Sequence, residues 1–228
     1  MKAFRLCLLA LLCLASTAHA QKFASSLLER EHAVTHHIDL KTVAEESDCS
    51  ATAVGPNALL TAGHCELSTD YLAVDRTVVQ ITGRIHDESD HTIFLLNGIT
   101  FDKYVPIVPD YTFAVGEDVT LFGNPGTHED IFRRGYVQKV NSESQIVYFG
   151  LPISNGDSGA GIFNTDGKLV AVASFVQPVS KDEGSIPMGL SGAYPLDFTK
   201  DDLALAAKPV PQTFHFDDDV APEKPKQR

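Results

Sequence analysis

The sequence predicts an all-β fold, and three features support that prediction. Short apolar runs rich in Val, Ile, Phe and Thr follow one another from Ser47 onward. They recur roughly every ten residues and are bounded by Gly, Pro, Asn and Asp, a pattern typical of a β-sandwich or a β-barrel. Asp166-Gly167 separates two of these runs and predicts a tight hairpin, because Gly tolerates the positive φ that such turns require.

The N-terminal residues 1–20 have the composition of a secretory signal peptide. Lys2 and Arg5 accompany an apolar run from Leu6 to Ala15, and Ala18–Ala20 places small residues where a signal peptidase would cut. The alternative is a membrane anchor, but the run is shorter than the ~20 residues that a spanning helix needs. We therefore expect a secreted protein, extracellular or periplasmic, without a membrane partner.

The charge of the chain excludes some partners. It carries 18 Lys and Arg against 30 Asp and Glu, a formal charge of −12, and loss of Lys2 and Arg5 with the signal peptide makes it −14. Nucleic acid and anionic membranes repel such a chain, so we expect neither as a partner. Cys49 and Cys65 are the cysteines left, and a pair in an exported chain suggests one disulfide, which would stabilise the fold by roughly 3 kcal/mol.

The segments that flank the β-rich region differ from it in composition. Residues 21–39 mix charges and histidine with little periodicity, and we expect an N-terminal segment or a short pro-segment there. Thr199 precedes KDDLALAA, with Asp202 three positions on, which predicts a capped helix. Residues 209–228 contain four prolines and many charges, which predicts a disordered tail. Its acidic run Asp217–Asp219 is interpreted as solvated rather than as a metal site.

A glycine-rich turn, SNGDSGAG at residues 154–161, contains a candidate nucleophile, Ser158. A hydroxyl attacks a carbonyl only with a base within reach, an acidic group that orients this base, and backbone N–H groups aimed at the oxyanion. Gly156 and Gly159 are small enough to bring the backbone close to a substrate. Gly156 and Ser158 would supply the two oxyanion donors, with Asp157 behind the turn.

The candidate base is His64 in the run ALLTAGHC. It follows an apolar strand and adjoins Cys65, which Cys49 can join across a hairpin. A base next to a disulfide is held in place, as catalysis requires.

Taken together, CSATAVGPNALLTAGHC and NGDSGAG resemble the trypsin/chymotrypsin-like serine protease family. That family places its catalytic His in T-A-[AG]-H-C and its catalytic Ser in G-D-S-G, and it bridges the Cys after the His to one about sixteen positions earlier. Cys49 and Cys65 are sixteen positions apart. The resemblance implies the chymotrypsin-like fold of two antiparallel six-stranded β-barrels with a short C-terminal helix. Residues 40–105 would form the first barrel, and residues 106–208 the second barrel and the helix.

The family also implies an acidic residue between the His and the Ser, just before a buried strand. Asp90 fits best because the apolar run IFLL follows it closely, and Asp87 and Asp102 are the alternatives. The order His64, Asp90, Ser158 matches the chymotrypsin order and differs from that of α/β-hydrolases.

The substrate-binding residues are implied by short matches to the family. Pro152, six residues before Ser158, would lie at the floor of the primary specificity pocket, where trypsin-like members carry Asp. Ser174, Phe175 and Val176 would form one wall and Gly192 the other. Because wide-pocket members have Gly where Val176 falls, we expect a preference for small or medium apolar residues before the cut.

Two features depart from the family. The chain lacks an I-V-G-G-like start, whose freed N-terminus pairs with the Asp before the Ser in animal zymogens, so Asp157 would need another partner. The short intervals between His64, Asp90 and Ser158 suggest trimmed loops, as in compact bacterial or viral members.

These features predict a secreted serine endopeptidase that acts on polypeptides through an acyl-enzyme, without a cofactor or catalytic metal, and as a monomer. The first alternative is a protease-like binding protein without activity, although such relatives usually lack a triad member. An esterase with the same triad is the second. A metal-assisted hydrolase that uses HDESDH, with His86 and His91 as ligands, is the third.

Overall fold

A computed structural model describes residues 25–126, 128–177 and 190–214 of the chain. The predicted signal peptide lies outside the described residues. Within the described part, no helix combines the length and the apolar character needed to cross a membrane.

The first half of the molecule is a closed barrel of six antiparallel strands, as predicted. Their order around the barrel is β1-β2-β3-β6-β5-β4. Branched and aromatic side chains such as Ile38, Leu60 and Phe94 fill the interior and are fully buried. The strands are β1 (Thr35–Lys41), β2 (Glu46–Gly55), β3 (Ala58–Ala62), β4 (Tyr71–Val74), β5 (Thr77–His86) and β6 (His91–Asn97). The barrel thus starts at Thr35, a few residues before the expected boundary.

The second half is a curled sheet of seven strands, one more than expected. Their order is β11-β10-β7-β8-β9-β13-β12. The strands are β7 (Asp118–Gly123), β8 (Ile131–Val140), β9 (Val147–Phe149), β10 (Gly161–Asn164), β11 (Leu169–Val172), β12 (Phe175–Gln177) and β13 (Leu190–Ala193).

The two end strands of this sheet, β11 and β12, are consecutive in the chain but do not pair with each other among the described residues. Between them the backbone changes partner: the N–H of Ala173 donates to Ala160, and the N–H of Ser174 donates to Gly192. The chain thus passes from one end of the sheet to the other at this point, and the open sheet forms a half-barrel. The predicted hairpin at Asp166-Gly167 joins β10 to β11, and Gly167 has the expected positive φ of 69°.

Three short helical segments complete the fold. Residues 25–32 form helix α1, which contacts the second sheet through a hydrogen bond from Arg30 Nη2 to the carbonyl of Gly167 (2.8 Å). A 3-10 helix, η1 (Gly63–Cys65), follows β3. Helix α2 (Lys200–Ala206) begins at the predicted capping box of Thr199 and Asp202.

Part of the predicted disordered tail has defined contacts with the first barrel. The N–H of Val210 donates to Asn57 Oδ1 (2.9 Å), and the N–H of Thr213 donates to Asn97 Oδ1 (2.7 Å). Order therefore extends to Phe214, because two buried asparagines on the barrel use this segment as their partner. Residues 215–228 lie outside the described part.

Candidate active site

His64 is positioned by strand β3 and by a disulfide. His64 lies in the 3-10 helix η1, directly after β3. The next residue, Cys65, forms a disulfide bond with Cys49 of β2. The predicted disulfide is thus present and ties η1 to the neighbouring strand.

The imidazole of His64 lies between a carboxylate and a hydroxyl. Nδ1 is 2.7 Å from Asp90 Oδ2, and Nε2 is 2.8 Å from Ser158 Oγ. The second carboxylate oxygen of Asp90 accepts a hydrogen bond from the His64 backbone N–H (2.8 Å). An ionised Asp90 fixes the tautomer with the proton on Nδ1, so Nε2 is free to accept the proton of the Ser158 hydroxyl.

The environment of His64 raises its pKa above the ordinary histidine value. The hydrogen bond to Asp90 is the largest cause, and the negative charge of Asp90 adds to it, whereas partial burial acts in the opposite direction. Both contributions from Asp90 stabilise the imidazolium that forms when the base takes a proton.

Of the three carboxylates considered from the sequence, Asp90 is the one that reaches His64. Asp87 is fully buried and pairs with His91 Nδ1 (2.6 Å). Asp102 is exposed on the surface. Asp87 also accepts hydrogen bonds from the N–H groups of Ser89 and Asp197, so it holds the loop that carries Asp90.

The glycines of the nucleophile turn allow a close approach of backbone segments. Gly156 has a φ of 93° and Gly159 a φ of 88°, both in the region that favours glycine. A Cβ on Gly156 would lie 2.2 Å from the carbonyl oxygen of Asn124. Neither the N–H of Gly156 nor that of Ser158 has an acceptor among the described residues. Both donors are therefore available to an oxyanion.

Asp157 has an internal cationic partner, Arg133 of strand β8. Arg133 Nη1 lies 2.7 Å from Asp157 Oδ1, and the Asp157 side chain is fully buried. The other carboxylate oxygen accepts the N–H of Ser154 (2.8 Å). The sequence indicated that Asp157 needs a partner but did not identify it. Arg133 and Arg134 are adjacent, and only the register of the strand decides which of the two side chains points into the protein and which points to solvent.

The predicted pocket residues are brought together only in part. Ser174 is buried and donates its N–H to the carbonyl of Gly192. The ring of Phe175 packs against Gly192, where a Cβ would lie 2.4 Å from it. Pro152 is exposed, and its place at the floor of the specificity pocket stays a prediction. The side chain of Val176 lies outside the described part of the chain.

The HDESDH segment is divided among separate partners. His86 bonds to Glu66 (2.7 Å), His91 bonds to Asp87, and Asp90 bonds to His64. This arrangement does not gather the segment around a metal.

A different group brings three candidate ligand residues together: atoms of His37, Asp39 and Asp48 lie within 4.8 Å of one another on β1 and β2. His37 Nε2 already has Asp48 as a hydrogen-bond partner at 2.9 Å, which accounts for this arrangement without an ion.

Comparison with known proteins identifies the family and the fold of the chain. A family model described as a trypsin-like peptidase domain matches residues 49–172, more than half of the chain. The crystal structure of the serine endoprotease from Yersinia pestis is similar to this chain with a TM-score of 0.59 and 17% identity. The match covers 75% of this chain and 61% of that protein, so it shows a shared fold over part of the longer relative. No curated protein sequence matches the chain.

Proposed function

This chain belongs to the family of trypsin-like peptidase domains, and on that basis we propose that it is a secreted serine endopeptidase with the triad Ser158, His64 and Asp90. The observation that carries the proposal is the continuous contact from Asp90 through His64 to Ser158, with distances of 2.7 and 2.8 Å. These are hydrogen-bond distances, which allow the base to take the proton of the nucleophile and the carboxylate to orient the base.

In the proposed reaction, Ser158 Oγ attacks the carbonyl carbon of a peptide bond while His64 Nε2 takes its proton. Asp90 keeps the imidazole in the required tautomer and stabilises its positive charge. The N–H groups of Gly156 and Ser158 bind the oxyanion of the tetrahedral intermediate. His64 then protonates the leaving amine, which leaves an acyl-enzyme on Ser158. Water, activated by the same histidine, hydrolyses the acyl-enzyme and restores the hydroxyl.

The pairing of Asp157 with Arg133 supports activity without the animal zymogen route. In that route a freed N-terminus provides the positive charge for the corresponding Asp. Here Arg133 provides it from within the fold, at 2.7 Å. We therefore propose that the turn is assembled on folding, without cleavage that creates a new N-terminus.

The preferred substrate is proposed to have a small or medium apolar residue before the cut. The packing of Phe175 against Gly192 supports a restricted pocket, because this ring occupies space beside the wall strand. The exposure of Pro152 argues for a shallow pocket rather than a deep one. The formal net charge of −12 disfavours acidic substrates.

An experiment distinguishes the proposed function from two other candidate functions of the same site. An esterase would share the triad, and a binding protein would share only the fold. The test incubates the purified, folded protein with a peptide library and with matched ester substrates, beside the Ser158→Ala variant. We expect cleavage of internal peptide bonds by the wild type and none by the variant. Ester hydrolysis without peptide cleavage would indicate an esterase, and neither activity would indicate a binding protein.

A further inference from the structure

Residues 154–158 form the turn that supplies the proposed oxyanion donors. Three carbonyls of this turn accept hydrogen bonds from residues outside it. The carbonyl of Asn155 accepts the N–H of Gly126 (2.8 Å), and the carbonyl of Ser158 accepts the N–H of Ser50 (2.8 Å). The carbonyl of Gly156 accepts a side chain, the hydroxyl of Ser50 (2.8 Å). Ser50 lies on β2 of the first barrel, so one residue of that barrel contacts both sides of Asp157.

The hydroxyl of Ser50 is fully used by these contacts. It donates to the Gly156 carbonyl and accepts hydrogen bonds from the backbone N–H (3.0 Å) and the side-chain Nδ2 (3.1 Å) of Asn124. One donor and two acceptor sites are all that a hydroxyl offers. Ser50 is 0% exposed, so water does not compete for these positions.

Gly156 needs such support because glycine has more backbone freedom than any other residue. Its N–H belongs to the peptide that begins at Asn155, and its carbonyl belongs to the next peptide. Because each peptide is planar, the carbonyl of Asn155 fixes the direction of the Gly156 N–H, and Gly126 holds that carbonyl. The carbonyl of Gly156 belongs to the peptide between Gly156 and Asp157, which joins the two peptides that carry the proposed donors. Ser50 holds this middle peptide and so restricts the rotation of the donor peptides on either side of it.

We propose that Ser50 is a positioning residue for the oxyanion hole: its buried hydroxyl holds the peptide between Gly156 and Asp157, so that the N–H groups of Gly156 and Ser158 on either side of this peptide point at the developing charge. The inference rests on the proposed function and deepens it, because it makes a side chain of the first barrel necessary for a donor pair in the second. Catalysis then depends on the docking of the two sheets through Ser50.

The test compares Ser50→Ala with Thr52→Val. Thr52 lies two residues further along the same strand, is fully buried, and its hydroxyl has no partner among the described residues. Both substitutions remove one buried hydroxyl from one face of β2, but only the first removes a contact to the turn. Steady-state hydrolysis of a peptide substrate is measured as a function of pH, at a temperature where both variants are folded.

For Ser50→Ala we expect kcat to fall about tenfold to a hundredfold with KM within about twofold, since loss of one whole oxyanion donor costs 10²–10³ in kcat. The acid limb of the pH profile should stay in place, because the contacts of His64 are untouched. Thr52→Val should retain the wild-type kcat. A purely structural role for Ser50 would lower the melting temperature and leave the kcat of the folded variant unchanged, and that result would overturn the inference.

Ser50→Cys keeps the experiment decisive if the alanine variant does not fold. A thiol fills a similar volume but is a weak donor, so an intermediate kcat is expected, after a mass measurement has verified the Cys49–Cys65 bond. Wild-type kcat in a folded Ser50→Cys protein would overturn the inference. An inactive wild type would instead overturn the proposed function, and with it the premise of this inference.

Discussion

His64 is the residue whose protonation state controls the proposed reaction, since only its neutral form can take the proton of Ser158. Asp90 raises the pKa of His64 through a hydrogen bond and through its charge. Activity should therefore be lost on acidification at a pH above the ordinary histidine pKa. The position of this acid limb reports directly on the contact between the two side chains.

Replacing Asp90 by Asn should shift the acid limb to lower pH and reduce kcat by about 10⁴-fold. The amide carries no charge and no longer selects the tautomer with the proton on Nδ1. The pH dependence of kcat/KM measures both effects. Asp102→Asn is the control, because Asp102 is exposed and should leave the profile unchanged. An unshifted acid limb in Asp90→Asn would show that another group orients the base.

Arg133 and Arg134 form a matched pair of residues that measures how much a buried ion pair contributes to the free energy of unfolding. Arg133→Ala should lower the free energy of unfolding by about 3–5 kcal/mol, because it leaves Asp157 buried without a partner. Arg134→Ala removes an exposed pair with Asp118 and should cost less than about 1 kcal/mol. Urea denaturation of the two variants compares these values. Equal losses would mean that Asp157 has found another cation.

Helix α1 attaches to the second sheet through a buried acid as well as through Arg30. Glu31 is 1% exposed, and Thr120 Oγ1 donates to its Oε1 at 2.9 Å. Its Oε2 is buried and has no partner among the described residues. Burial is the main reason that the pKa of Glu31 is raised from 4.5 to about 7, although Thr120 and Arg30 lower it.

The stability of this element should therefore depend on pH. Between about pH 4.5 and 7 the folded chain keeps a proton on Glu31 that the unfolded chain has lost, so stability falls as the pH rises through this range. Glu31→Gln should raise the melting temperature relative to the wild type at pH 8 and leave it nearly unchanged at pH 4.5. Glu29→Gln, on the exposed side of α1, is the control and should change neither value. A Glu31→Gln effect that is equal at both pH values would contradict the raised pKa.

The elements that sequence predicted best are those with local signals. The cysteine pair, the strand before His64, the Asp166-Gly167 hairpin and the capping box of α2 each depend on residues close together in the chain. The partners of the nucleophile turn could not be predicted in this way. Ser50 is 106 positions from Gly156, and the inward side of Arg133 is set by the register of β7 and β8. Such contacts arise only when separate strands pack.

Pro152 and the C-terminal segment show two other limits. Counting back six residues from Ser158 gives Pro152 as the pocket floor, but such a count carries no information on exposure, and for the exposed Pro152 this role stays a prediction. The proline-rich composition after Lys208 predicted disorder, but the tertiary partners Asn57 and Asn97 hold residues up to Phe214. The composition of a segment predicts its behaviour in isolation. It does not predict the hydrogen bonds that the segment makes to another part of the fold.

At the scale of the whole molecule, the C-terminal segment joins the end of the chain to the first barrel. A chain that ends at Lys208 should lose about 2 kcal/mol or more of unfolding free energy, because the side-chain oxygens of buried Asn57 and Asn97 lose the backbone N–H groups of Val210 and Thr213. A chain that ends at Phe214 keeps these contacts and is the control. Thermal unfolding of the two truncated proteins measures the difference, and equal stability would show that the contacts contribute nothing.

The two sheets meet at the candidate site, so its residues come from both. The first barrel contributes His64, Asp90 and Ser50, and the second contributes Ser158 and the pair of Asp157 with Arg133. Neither half alone carries a base, a nucleophile and the two oxyanion donors. An activated serine should therefore exist only in the assembled molecule.

The most direct measurement of this claim is covalent labelling with a fluorophosphonate probe, read by intact mass and by mapping of the labelled peptide. The wild type should take one label, on Ser158, because His64 makes this hydroxyl nucleophilic. Ser158→Ala and His64→Ala should take none, and Ser154→Ala, a serine of the same turn, should be labelled like the wild type. A folded wild type that stays unlabelled, or a label that persists in His64→Ala, would contradict the account.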